Sequence, residues 1–156
     1  MCKQSMEQNN KGFIMSISET EPHVHGMDTN PHNVIVSRFL RAVTEAHGGG
    51  KETSKHTTVA LVQFQPGGGF DEHYRKFNDE TPVFDFVFYV ISGQIRVTLG
   101  DIEQSIGADT LVYCPSNVKH SMAVVGDSTA KMIMIYGTGE GEKMGVPIFT
   151  KKKTGI

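Results

Sequence analysis

Apolar residues fall in short runs bounded by Gly, Pro, Asn or Asp, and almost every run has the spacing of a strand rather than a helix. The most pronounced covers residues 83–90, where Phe84, Phe86, Phe88 and Val90 recur at period two. The interleaved Val87 and Tyr89 are apolar too, which predicts a strand buried on both faces. Ser92-Gly93-Gln94 then supplies the glycine that a hairpin turn uses at positive φ. Ile95, Val97 and Leu99 alternate with Arg96 and Thr98, the pattern of a half-buried strand. After another glycine turn, residues 107–114 predict a short strand ended by Pro115, with His120 just beyond it.

Three further runs complete the pattern. Residues 34–43 and 57–64 predict strands separated by a glycine-rich loop, and Gln65-Pro66-Gly67-Gly68-Gly69-Phe70 reads as the turn that ends pairing of the second. Residues 121–125 and 130–136 predict a closing hairpin about Gly126-Asp127-Ser128, the latter run continuous enough for a central strand. An all-β, antiparallel fold with little helix follows. Residues 33–140 are expected to form one domain, flanked by a polar N-terminal arm over 1–32 and a tail over 141–156.

Composition narrows the function classes. With 156 residues the chain supports one sizeable core; 38% hydrophobic and 21% charged residues mark it as globular, and a net charge of −2 calls for neither nucleic acid nor a membrane surface. No apolar run approaches the roughly 20 residues of a membrane helix, and the first residues lack the apolar segment of a secretory signal, so a cytoplasmic location is expected. Cys2 and Cys114 lie too far apart in character for a disulfide framework, and Cys114 reads as a small core hydrophobe.

Candidate chemistry concentrates in two places. The polar segment 71–82 carries Asp71, Glu72, His73, Tyr74, Arg75, Asp79 and Glu80, and the strand end beyond Pro115 carries His120. His23 and His25 alternate in a way that sets two imidazoles on one side of a strand, with His32 seven residues on, but no matching carboxylate or cysteine accompanies them and they read as solvated arm histidines. Arg75 and Arg96 are candidate anchors for a carboxylate or phosphate, through bidentate hydrogen bonds.

Tyr89-Val90-Ile91-Ser92-Gly93-Gln94-Ile95, and Gly107 through Pro115 to His120, resemble the two sequence motifs of the cupins over about residues 57–140. The resemblance implies a cupin-type jelly-roll β-barrel with a pocket in its mouth. It also implies a metal held by a His-x-His pair and a Glu or Gln of the first motif, with one histidine of the second. This chain departs from that set. The carboxylate position is Phe86, which cannot ligate a cation, and the residues two positions either side of His73 are Asp71 and Arg75. Asp85, one residue from that position, is expected on the opposite face of its strand unless a bulge intervenes.

Two readings of function follow. In one, a small cupin acts on a small polar organic molecule as a metal-dependent isomerase, lyase or dioxygenase, with Fe, Mn, Ni or Zn on His73 and His120 and further donors drawn from Glu72, Tyr74, Glu80 and Asp85. In the other, a metal-free barrel binds a small molecule against Phe84, Phe86 and Phe88, oriented by His120 or an arginine. A symmetric homodimer is expected in either case, because the runs at 34–43 and 131–136 are apolar enough to need cover.

Overall fold

The alternation that starts at Thr57 does not stop at Pro66. In the computed structural model, which describes residues 11–42, 52–54, 57–75, 84–138 and 147–149, strand β4 runs without interruption over Thr57–Arg75. Before it come β1 (His23–His25), β2 (His32–Ala42) and β3 (Thr53–Ser54). After it come β5 (Phe84–Ser92), β6 (Ile95–Leu99), β7 (Ile102–Ile106), β8 (Leu111–Cys114), β9 (His120–Val124), β10 (Ala130–Thr138) and β11 (Pro147–Phe149). The only helical feature among the described residues is a single 3-10 turn, Ile17–Glu19.

β4 is long enough to serve both halves of the barrel. Its first part, Thr57 to Phe64, lies between β2 and β10, and β10 continues the sheet to β5 and β8. Its second part pairs with β9, which continues to β6 and β7, and its last residues also pair with β11. The strand order β7-β6-β9-β4-β10-β5-β8 is therefore one antiparallel sheet curled about β4, a jelly-roll barrel. The glycines at the bend make the curl possible. Gly67 sits at φ 75°, and a Cβ on Gly69 would stand 2.4 Å from the Met122 carbonyl oxygen of β9. The Pro-Gly stretch expected to end the strand instead redirects it, because glycine lets the ladder continue where any side chain would hold β9 away.

Two expected hairpins are corner crossings. Ser92-Gly93-Gln94 joins β5 to β6, yet β5 pairs with β10 and β8 while β6 pairs with β7 and β9. The same holds for β9 and β10, which share β4 as a neighbour but attach to different parts of it. A true hairpin at Gly100-Asp101 links β6 to β7, a strand whose mostly exposed Ile102-Glu103-Gln104-Ser105 gave little apolar signal. β10 is central, as its continuous apolar run predicts.

The core lies inside the curl. Phe64, Val62 and Ala60 of β4, Phe86, Phe88 and Val90 of β5, Met132, Met134 and Tyr136 of β10, and Ile95 and Val97 of β6 are buried there. The stretch expected as a polar N-terminal arm contributes β1, paired to β2, and ends in the buried His32.

The corner at Gly93 carries a prediction. Its φ is 86°, and a Cβ would meet Thr129 O at 2.4 Å and Ala130 Cα at 2.7 Å, all of it backbone or short side chain that cannot yield. Gly93→Ala should cost about 2 kcal/mol or more, read as a lower urea midpoint at unchanged slope. An unchanged midpoint would show that the corner is not tight.

Candidate functional site: a buried histidine pair

The curl of β4 brings His73 directly opposite His120, the first residue of β9. Cross-strand partners share a face, and the two rings stand 4.2 Å apart between centroids, tilted by 55°. Both residues are buried, at 7% and 3% exposure, at the end of the barrel where β4 and β9 meet.

The ring nitrogens are assigned by their neighbours. His73 Nδ1 lies 2.7 Å from the carbonyl oxygen of Asp71, and since a carbonyl only accepts, Nδ1 carries the proton. His120 Nδ1 lies 3.0 Å from the carbonyl oxygen of Val118 and 3.0 Å from Cys114 Sγ, so it too donates. In the neutral rings Nε2 is then the lone-pair nitrogen in each case, a base and a hydrogen-bond acceptor. This is how a protein holds an imidazole whose other nitrogen does the chemistry.

Aromatic residues wall the pair on its inner side. Phe86 stacks on Phe88 at 5.3 Å and 3°, Tyr136 lies 4.8 Å from Phe86, and His120 stands 5.9 Å from Phe86 and 6.3 Å from Phe88. Phe86, at the position to which the motif resemblance assigns a carboxylate, thus stands beside His120 with a phenyl ring.

Residues of the arm and of β8 support the pair. Asn30 Oδ1 accepts from the Asp71 backbone N–H at 3.1 Å, and His32 Nδ1 lies 3.6 Å from Asp71 Oδ1, both His32 and Asp71 being 4% exposed. These contacts clamp the main chain whose carbonyl holds His73. His32 is therefore buried rather than solvated, whereas His23 is exposed and its ring packs against His25 at 4.7 Å on the edge strand. Burial, with His23 and Arg38 adding positive charge nearby, lowers the pKa of His25. Cys114 is a free thiol pressed against His120, its pKa pushed up to about 12 by burial and by the charge of Asp85. It stays protonated and supports the ring without attacking anything.

The other expected positions fall apart from the pair. Asp85 lies on the outer face, as strand alternation requires, and its carboxylate hydrogen-bonds Tyr113, whose phenol is held above its ordinary pKa first by desolvation and then by that carboxylate. Arg96 is on the outside of β6, its side chain 65% exposed and 3.7 Å from Glu103, beside a shallow depression formed with Gln104 and Ser105. Alternation along β4 turns Tyr74, which is half-buried, to the face away from His73. The Phe84 and Arg75 side chains, Asp79 and Glu80 lie outside the described residues.

Similarity agrees with this geometry. The family profile described as the cupin domain matches residues 60–136, and the chain belongs to the cupin superfamily. No curated protein matches it in sequence. Among solved structures it resembles the polyketide cyclase RemF from Streptomyces resistomycificus, at 9% identity over 92% of this chain and 89% of that one, with a TM-score of 0.66. It also resembles a predicted oxalate decarboxylase from Thermotoga maritima, at 15% identity over 81% of this chain and 100% of that one, with a TM-score of 0.63. KdgF from Halomonas sp. matches at 14% identity over 84% and 97%, with a TM-score of 0.59. At these identities the likeness speaks for the fold.

The thiol gives a test. In a Cys2→Ser background Cys114 is the single cysteine, and at pH 8 the native protein should react with iodoacetamide at least a hundredfold more slowly than the urea-unfolded chain. A thiol held to about 12 in the fold against 9.0 in the reference state favours the folded protein below pH 9, and that contribution is lost as pH rises toward 12. Equal alkylation rates in the two states would mean that the thiol is not held against His120.

Proposed function

We propose that the protein binds a small polar organic molecule in the barrel end, with the Nε2 atoms of His73 and His120 as the polar recognition groups and the Phe86, Phe88 and Tyr136 rings as the apolar wall. The observation that carries this reading is the anchoring of both Nδ1 protons on backbone carbonyls. It leaves Nε2 as the lone-pair nitrogen on two rings whose centroids stand 4.2 Å apart, which suits a ligand with a hydrogen-bond-donating group attached to a planar or apolar body. The same pair can hold a proton taken from such a ligand, one ring at a time, because two imidazolium ions with ring centres 4.2 Å apart repel.

The metal-dependent reading rests on the same anchoring, which is typical of metal-binding histidines. The donors placed by the described residues, which do not include the expected Glu80, do not make up a set for it. Cupin metals take three or more protein ligands, and among the described residues no group of three or more His, Cys, Asp or Glu side chains is arranged to hold one. Phe86 adds no donor, and Cys114 meets His120 on the Nδ1 side, away from the lone pair. The metal-free reading is therefore preferred.

Two measurements test it. Protein purified without a histidine tag, after growth in medium supplemented with Fe, Mn, Ni and Zn, should hold well under one transition metal per chain, and a stoichiometric metal would overturn the metal-free reading. A ligand-observed NMR screen of small phenols should yield binders whose affinity falls at least tenfold, about 1.4 kcal/mol, in His120→Ala and in His73→Ala, with the strand circular-dichroism signal retained. Binders indifferent to both substitutions would place the ligand elsewhere.

A further inference from the structure

The outer face of the β8-β5-β10 region is as apolar as the inner one. Register sets Leu111, Tyr89 and Ile133 side by side in one row across three strands, and Tyr113, Val87 and Ile135 in the next. Four of these six are large and exposed: Leu111 at 58%, Tyr113 at 50%, Tyr89 and Ile135 at 39% each. Sheets that face water alternate apolar with polar residues, and this one does not. The hydroxyls of the two tyrosines donate to carboxylates, Tyr89 to Asp109 at 2.7 Å and Tyr113 to Asp85. Aromatic side chains are what an interface uses as anchors.

Charge at the two ends of the patch points to the occupant. Lys131 stands at one end of β10, opposite Ser92, and Asp85 stands at the other end of β5, opposite Gly137. They are about 20 Å apart along the strands, with the two apolar rows between them. We infer that this face packs against the same face of a second copy of the chain, about a two-fold axis that lies between the sheets and runs across the strands. Such an axis reverses strand direction. It lays the Leu111-Tyr89-Ile133 row on the partner's Tyr113-Val87-Ile135 row and sets Lys131 of each copy near the partner's Asp85. An axis along the strands would instead put Lys131 over Lys131, like charge on like. The interface does not involve His73 or His120, so its test and that of the ligand site are independent.

Sedimentation equilibrium at concentrations on the order of 10 µM should give twice the chain mass. Leu111→Arg and Ile135→Arg, both on exposed positions, should each raise the dimer dissociation constant at least tenfold while the circular-dichroism spectrum is kept. Lys131→Glu and Asp85→Lys should each weaken the dimer, and the double variant should recover most of the loss. A monomeric wild type, or a dimer indifferent to both arginine substitutions, overturns the interface. A double charge reversal no better than the single ones overturns the axis.

Discussion

One strand belongs to both halves of this barrel, and most of the structure depends on it. β4 pairs with β10 through Thr57 to Phe64 and with β9 through Gly69 to His73, and its bend passes over glycines that leave no room for a Cβ against β9. That close approach fixes where β9 begins, and β9 begins at His120. The juxtaposition of His73 and His120 is thus a matter of backbone register. No attraction between the rings is needed to create it, and the strand ladders on either side hold it.

Burying two imidazoles side by side asks for polar partners, and the fold supplies them from main-chain atoms. The carbonyls of Asp71 and Val118 each take an Nδ1 proton, so no counter-charge is required while the rings are neutral. Phe86 fits that scheme. A carboxylate in its place would stabilise an imidazolium or a cation; a phenyl ring stacked on Phe88 and packed on Tyr136 makes the neighbourhood apolar instead.

Period-two alternation was enough to read most strands, and with them an all-β barrel, because inner-face residues such as Phe86, Phe88 and Val90 must alternate whatever the topology. Which strands neighbour which was less legible. Glycine at Gly93 signals a tight local conformation, but a corner between sheets and a hairpin demand the same residue, and only the partners of β5 and β6 separate the two. β7 was hidden by its exposure. His73 and His120 were visible as residues, one from the polar segment and one from the motif, whereas their meeting depends on a bulged register that no spacing records. The support from Asn30, His32 and Cys114 could not be read at all in advance, since Asn30 and His32 act on Asp71, distant in sequence, and Cys114 meets His120 across an irregular turn between two strands that do not pair.

The central claim is that both rings are Nδ1–H tautomers, with Nε2 as the lone-pair nitrogen, because both Nδ1 protons are given to backbone carbonyls. Long-range proton-nitrogen correlation NMR on protein with 15N-labelled histidine reads this directly, since the nitrogen shifts of the two tautomers and of imidazolium differ widely. At neutral pH, His73 and His120, assigned by their absence in the alanine variants, should both show protonated Nδ1 and unprotonated Nε2. A protonated Nε2 on either ring, or a ring fully charged at that pH, would contradict the account.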